Sequence, residues 1–360
     1  MDVGIFGPEK SGKTTLFCLL SGVSFDSVVS KHEPNRAVAE IRDPRLDKLQ
    51  EIQNTEKKVY TTLNLVDIPG FPAACPAREK NRIMQNLQGS DALLAVVRAF
   101  RSEIVSWPEV GKSAAAQLES ISAELLLRDM EVVSNRLQRI EDHVGKRKLT
   151  AEEEKERVLL RNVSEQLDQE RFAGSLSPES DERRLLASLS LFTCRPVVVA
   201  ANLDEDQYSA RDYPDRELVM KSCEERGFGY VEVAGRFEME VLELPLEERE
   251  LFMNEAGISG SCFERLHDTI YKHLDIITFF TFNEEEVRAW QIEQDTTAKQ
   301  AAGKVHSDLM DHFIKAEIIS YEDFVNCGGI HGAREKGLAK IAGKDEIIRD
   351  GDIVRIRANA

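Results

Sequence analysis

Eight residues near the start of the chain, Gly7-Pro8-Glu9-Lys10-Ser11-Gly12-Lys13-Thr14, have the types and spacing of a phosphate cradle. The glycines let backbone N–H groups turn inward around a polyphosphate, Lys13 brings positive charge to the outer phosphates, and the Thr14 hydroxyl can ligate Mg2+. This GxxxxGK[ST] pattern carries meaning only between a strand and a helix. Here the apolar run Val3-Gly4-Ile5-Phe6 precedes it, and Thr15-Leu16-Phe17-Cys18-Leu19-Leu20 follows with the spacing of a helix that buries one face on a sheet. Nucleotide binding through Gly7 to Thr14, with Thr15 just behind, is therefore expected, with ATP or GTP as substrate and Mg2+ as cofactor.

Such a loop is served by a second strand that ends in an aspartate, which reaches Mg2+ through water, and a glycine whose amide faces the terminal phosphate. Leu63-Asn64-Leu65-Val66-Asp67-Ile68-Pro69-Gly70 supplies both. Thr14 and Asp67 are the expected metal residues, and Lys13, Gly70 and Lys10 the expected catalytic ones. Lys10 enters as a cation that could stabilise developing phosphate charge in cis; a lysine in a polar loop equally well points to water. Phe71 stands where many GTPases carry a glutamine that orients the attacking water, and it cannot do that work.

A third strand, Pro196-Val197-Val198-Val199-Ala200-Ala201, ends in Asn202-Leu203-Asp204-Glu205, where a GTPase places its base-reading NKxD. The lysine that would pack on the ring is Leu203, and the aspartate that would accept from guanine is Glu205, one methylene longer. Loss of that aspartate costs GTP more than ATP, because adenine offers no second amino donor on that edge. Asn202, Leu203 and Glu205 are the candidate base contacts, joined by Ala234 and Gly235 in the loop after Tyr230-Val231-Glu232-Val233. A polar loop after a buried strand is the alternative for these positions.

The elements that must hold these groups are legible in outline. The chain has 360 residues, enough for two or three domains with a sizeable core. Its formal charge of −17 excludes a surface that binds nucleic acid all over, though not a local basic patch. Six scattered cysteines without a CxxC pair and no secretory leader point to a reduced, cytoplasmic protein, and no apolar run is long enough to span a bilayer. From Leu126, the residues Met130, Val133, Leu137, Ile140 and Val144 form a heptad seam. A basic break at Gly145-Lys146-Arg147-Lys148 and a return helix from Ala151 to Gln169 complete an antiparallel hairpin. The tip cations are a solvated turn or an RNA contact. After Ile276 short strands take over, at 276–281, 287–292, 316–319 and 353–357, with a helix from Thr297 to His306. Trp290 is expected to pack in the core or at its rim, with base stacking as the alternative.

Several stretches, in order, carry a resemblance: Asp43-Pro44-Arg45-Leu46-Asp47-Lys48-Leu49, Glu286-Val287-Arg288-Ala289-Trp290, Gln300-Ala301-Ala302-Gly303, Ala316-Glu317-Ile318-Ile319-Ser320-Tyr321, Gly332-Ala333-Arg334-Glu335 and Asp350-Gly351-Asp352. On these the chain resembles the YchF / Obg-like ATPase family. The resemblance implies an α/β fold with three parts. These are a P-loop G domain in two pieces, 1–117 and 190–275, an inserted antiparallel helical coiled coil at 118–189, and a C-terminal β-grasp-like TGS domain at 276–360. It also implies ATP favoured over GTP, and association with ribosome or RNA through the TGS domain and arm; a monomer is expected. The chain departs from that pattern at named places. Lys31 stands where a Mg2+-contacting threonine is expected, no glycine occurs in 71–80, and Val105-Ser106-Trp107-Pro108 lacks the family histidine. Lys10 replaces an asparagine, and His32 reads as a solvated loop residue. Slow hydrolysis follows as the leading expectation. The alternatives are a hydrolysis-deficient, nucleotide-gated module that binds ribosome or protein, and a GTP-selective switch.

Overall fold

Short apolar runs bounded by turn residues become strands, and in the computed structural model they assemble into two sheets. Residues 1–28, 33–70, 77–144, 147–175, 180–258 and 260–359 are described. In chain order the strands are β1 (Asp2–Phe6), β2 (Asn35–Ile41), β3 (Lys57–Val59), β4 (Thr61–Asp67), β5 (Ala92–Arg98), β6 (Val197–Asn202), β7 (Gly229–Val233), β8 (Ile276–Phe282), β9 (Glu286–Glu293), β10 (Phe313–Ile319), β11 (Lys340–Ala342) and β12 (Ile353–Ala358). One sheet has the order β2-β4-β1-β5-β6-β7 and the other β11-β10-β12-β8-β9-β3.

In the first sheet β4, β1, β5, β6 and β7 pair in parallel. Every residue of β5 and β6 is buried, as expected for parallel strands covered on both faces. Functional groups in such sheets gather beyond the carboxyl ends of the strands. That is where β1 runs into the phosphate loop, β4 ends in Asp67, β5 in Arg98 and β6 in Asn202.

The arm is two long helices, Ala114–Val144 and Ala151–Asp168. Leu126, Val133 and Ile140 on the first and Leu160, Val163 and Leu167 on the second are buried in one cluster continuous with the sheet core. Arg136 with Glu156, and His143 with Glu153, pair across the helices in antiparallel sense. The expected seam therefore forms, but Val144 is exposed at its end. The return helix starts where its sequence signals it: Thr150 and Glu153 form a reciprocal capping box. Of the expected tip cations, Arg147 is held by Glu153 at 2.5 Å, Lys148 is exposed, and Gly145 and Lys146 lie outside the described residues. At the arm's base the buried Asp129 accepts from the N–H groups of Phe192 (3.1 Å) and Thr193 (2.7 Å), just before β6.

The second sheet is the C-terminal mixed α/β domain, with the β8–β9 hairpin and the β10–β12 pair antiparallel. Thr297 and Gln300 cap the Ala298–Val305 helix. Trp290 donates to Thr281 Oγ1 at 2.9 Å and stacks on Phe279, so it packs at the rim of this core.

The allocation of 38–63 differs from the sequence expectation, and the second unit begins at 271 rather than 276. The chain forms two compact units, 1–37 with 64–270, and 38–63 with 271–360, whereas the whole of 1–117 was expected in the nucleotide domain. The reason is packing. β3 pairs with β9, and the Pro44–Gln53 helix buries Leu46 and Leu49 against Phe280, Val287, Ala289 and Phe324. Asp43 caps that helix, and Arg45 bonds Asp350 at 2.6 Å. The two short extra strands β3 and β11 were not expected, because three residues are too few to show a period.

Candidate functional site

The phosphate loop is built on close backbone approaches. Gly7, at φ +143°, would bring a Cβ within 2.4 Å of the Val96 carbonyl on β5, and Gly12, at φ +97°, within 2.0 Å of Asn202 Nδ2. A Cβ on Gly70 would lie 2.7 Å from the Glu9 amide nitrogen, so this glycine sits directly against the phosphate loop.

Inside the loop the polar groups are under-satisfied. Lys13 is buried, its Nζ donates to the Pro8 carbonyl at 2.8 Å, and burial lowers its pKa to about 8 against the opposing pull of Asp67 and Glu9. Thr14 Oγ1 donates to Asp67 Oδ2 at 2.9 Å, and Asn35 Nδ2 reaches the same oxygen at 3.3 Å. Burial raises the Asp67 pKa, while Thr14, Lys13 and Asn35 favour the carboxylate. Asp67 Oδ1 and Ser11 Oγ are buried with no hydrogen-bond partner among the described residues. A hydroxyl and a carboxylate stand together as oxygen ligands, one carboxylate oxygen is open, and a lysine interacts with the carboxylate. That set suits a hydrated Mg2+ with the phosphates it accompanies.

The remaining expected residues divide. Lys10 is exposed with φ +63°, and its Nζ donates to Ser106 Oγ at 2.6 Å. Pro8 is buried and Glu9 exposed, while Thr15 is half-buried, its methyl 3.5 Å from where a Gly235 Cβ would stand. The Asn202 amide is a staple: Nδ2 donates to the Ser11 carbonyl at 3.0 Å, and Oδ1 accepts from the Gly235 N–H at 3.1 Å. It locks the loop after β7 onto the phosphate loop. Ala234 is buried, and its N–H donates to Glu238 Oε1 at 3.2 Å. The Leu203 side chain lies in the hydrophobic core at 2% exposure, so it lines no open base site. Glu205 is exposed in the first turn of the Glu205–Ala210 helix, and the capping carboxylate there is Asp204. Lys31, His32 and Phe71 lie outside the described residues.

Asn35 is not among the residues expected from the sequence, although it lies four residues after Lys31, where a threonine is expected. Nor is Glu238, whose signal was a glutamate in the first turn after a non-capping residue.

Three comparisons bear on this geometry. The YchF-GTPase_C family model, described as "Protein of unknown function (DUF933)", matches residues 276–359. The "Ribosome-binding ATPase YchF" of Bacillus subtilis is 32% identical over 371 residues, covering 100% of this chain and 99% of that protein. The chain belongs to the YchF family. The protein of the same name from Escherichia coli O157:H7 is 33% identical over 365 residues, covering 99% and 98%. Among solved structures, the Schizosaccharomyces pombe YchF GTPase superposes with a TM-score of 0.84 at 24% identity over 99% of this chain and 97% of that one. A GTP binding protein from Pyrococcus horikoshii OT3 gives 0.58 at 17% over the whole of both. These likenesses establish the YchF fold, with its P-loop sheet, helical arm and C-terminal domain. No described helix is long and apolar enough to cross a membrane.

Proposed function

We propose that this YchF-family chain is a Mg2+-dependent, ATP-preferring triphosphatase of slow intrinsic turnover that works on the ribosome in the cytoplasm. The observation that carries the reading is the Thr14–Asp67 pair beside buried Lys13, with Asp67 Oδ1 and Ser11 Oγ left open. The relatives' names, ribosome-binding ATPases, give the partner and the reaction.

Thr14 would hold Mg2+ directly and Asp67 through water, and the ion would neutralise charge on the outer phosphate oxygens. Lys13 would exchange the Pro8 carbonyl for those oxygens, and the Gly70 N–H would face the terminal phosphate. Water attacks that phosphorus, the bond to the β-bridging oxygen breaks, and ADP and phosphate leave. Catalysis is then mostly positioning and electrostatics, since no protein base is invoked.

The preference for ATP is supported by the state of the donors near the base. The Ala234 N–H is taken by Glu238, and one N–H of Asn202 by Ser11. A site poor in free donors serves the adenine amino group better than the guanine O6, which needs one. For the ribosome, β10 and β12 set Lys315 opposite Arg357 and Glu317 opposite Arg355, and Glu317 is held by Arg334 at 2.5 Å. Like charges facing across a sheet cost stability, and RNA phosphate would offset that cost. The helical arm, residues 118–189, is the second contact. The free thiols of Cys18, Cys194, Cys223, Cys262 and Cys327 suit a reducing compartment.

A second reading, occupancy without turnover, is favoured by the chain's own departures: Lys31 where a threonine is expected, Phe71 after Gly70, and no histidine in Val105-Ser106-Trp107-Pro108. Single-turnover hydrolysis of labelled ATP and GTP, with and without ribosomes, decides between them when equilibrium binding is measured on the same sample. Cleavage of ATP ahead of GTP is expected. Tight binding of intact nucleotide even on ribosomes would establish the gated module instead.

A further inference from the structure

Arg98, the last residue of β5, is fully buried, and its guanidinium contacts carbonyls rather than a carboxylate. Nε donates to Phe100 O at 3.1 Å, Nη1 to Ser106 O at 2.7 Å and Nη2 to Val105 O at 3.0 Å. The rings of Phe100 and Trp107 lie over the guanidinium carbon, with centroids at 4.2 and 4.5 Å. Burying such a charge is expensive, and hydrogen bonds to neutral carbonyls offset the cost only when the loop supplying them has one conformation. The planar fork therefore fixes the segment from Phe100 to Trp107 around itself.

That segment has two attachments. Ser106 Oγ accepts from Lys10 Nζ at 2.6 Å, gripping the phosphate loop at its non-glycine residue with positive φ. At the other end the buried Gln117, in the first turn of the arm helix, closes on the Arg98 backbone: Oε1 accepts from its N–H at 2.8 Å, and Nε2 donates to its carbonyl at 3.2 Å. Phosphate loop, Ser106, Arg98, Gln117 and arm form one continuous hydrogen-bonded chain.

We propose that Arg98 is a positioning residue for phosphoryl transfer, holding Ser106 so that it pins Lys10 and the outer turn of the phosphate loop, and linking that turn through Gln117 to the helical arm. The assignment rests on the triphosphatase reading. Pinning lowers the reorganisation needed to reach the reactive geometry, so its loss appears in the rate more than in affinity.

The test uses the full chain with Trp290→Phe, leaving Trp107 as its only tryptophan, in a fluorescence titration with ATP and a non-hydrolysable analogue, beside calorimetric binding and single-turnover hydrolysis. Nucleotide is expected to shift Trp107 emission. Ser106→Ala and Lys10→Met, both at exposed positions, should abolish the shift and lower the single-turnover rate about tenfold with affinity held within about threefold, the double variant falling no further than either single one. Arg98→Lys should reproduce the loss, because it keeps charge but not the fork. If nucleotide binds and is cleaved while Trp107 stays silent, or the two exposed variants act additively or keep full rate, the Arg98 assignment is overturned and the triphosphatase reading stands. If neither nucleotide binds the unaltered chain, the triphosphatase reading falls and takes this one with it.

Discussion

Replacing Lys13 with methionine should make the nucleotide-free protein more stable while destroying its use of nucleotide. Lys13 is buried with a single carbonyl partner, Pro8 O at 2.8 Å, and burial holds its pKa at about 8. The gap below the ordinary 10.5 is worth roughly 3 kcal/mol against the charged form. Methionine fills the same volume without charge and gives up one hydrogen bond of about 1 kcal/mol, leaving a net gain of about 2 kcal/mol. For a unit of this size that is a rise of roughly 4–8 °C in melting temperature. The sign with pH follows. Between about pH 8 and 10.5 the unfolded lysine still holds a proton that the folded one has released, so the unaltered protein gains stability as pH rises through that window. Below pH 8 the full penalty stands, and the variant's advantage should shrink above it. Saturating Mg-ATP at about a hundredfold its Kd should stabilise the unaltered protein by about 2.7 kcal/mol and the variant hardly at all, so the two orders of stability cross. Melting curves at pH 7.5 and 9.5, with and without Mg-ATP, measure all of this. A Lys13→Met protein that melts below the unaltered one without nucleotide would refute the reasoning.

Asp67→Asn keeps an acceptor for Thr14 but removes the charge that faces the metal. The Mg2+ concentration for half-maximal nucleotide binding should rise about tenfold or more in a fluorescence titration, with binding in EDTA unchanged. Asn202→Ala strips partners from the Ser11 carbonyl and the Gly235 N–H; a loss of about 2–4 kcal/mol in urea unfolding is expected, and a weakened nucleotide Kd with it. Leu46→Ala opens a cavity at a fully buried position and should cost about 2–5 kcal/mol. Amide exchange should rise in β8 and β9 rather than around the phosphate loop.

What the sequence disclosed and what it hid divide along a physical line. The phosphate loop, Asp67, Gly70 and the strands that carry them are local: each is a short run whose period and end residues identify it. The arm announces itself the same way, through a heptad seam and the Thr150–Glu153 cap. Three kinds of fact were out of reach. The allocation of 38–63 depends on β3 finding β9 across more than two hundred residues, which no local period encodes. The uses of Asn202 and Lys10 depend on what each meets in space. Asn202 is expected at the base from its place in a motif, and Lys10 either as a cation for the phosphates or as a solvated residue; the contacts that Asn202 makes between two loops and Lys10 makes with a serine have no local signal. Leu203 was read by its position in a motif, while its apolar side chain follows the stronger rule and enters the core.

The phosphate-loop site carries several unmet polar groups close together. Within one loop and the strand beside it lie a desolvated ammonium, a carboxylate oxygen without a partner and a buried hydroxyl without one. Other buried charges have more partners: Arg98 has carbonyls and rings, Asp129 two N–H groups, and Glu238 Oε1 both Arg265 and a backbone amide. The deficit around Lys13 and Asp67 is one that phosphate and Mg2+ would relieve, so part of any affinity for nucleotide would already be present as instability of the free site. Asp67 carries this further along the chain. Its Oδ2 is shared by Thr14, beneath the phosphates, and Asn35, the first residue of β2. Asn35 and Asp67 stand at the outer ends of β2 and β4, the strands through which the chain leaves for residues 38–63 and returns. A change in what Asp67 binds therefore bears on the Thr14 and Asn35 contacts together, joining the phosphate loop to the first residue of β2.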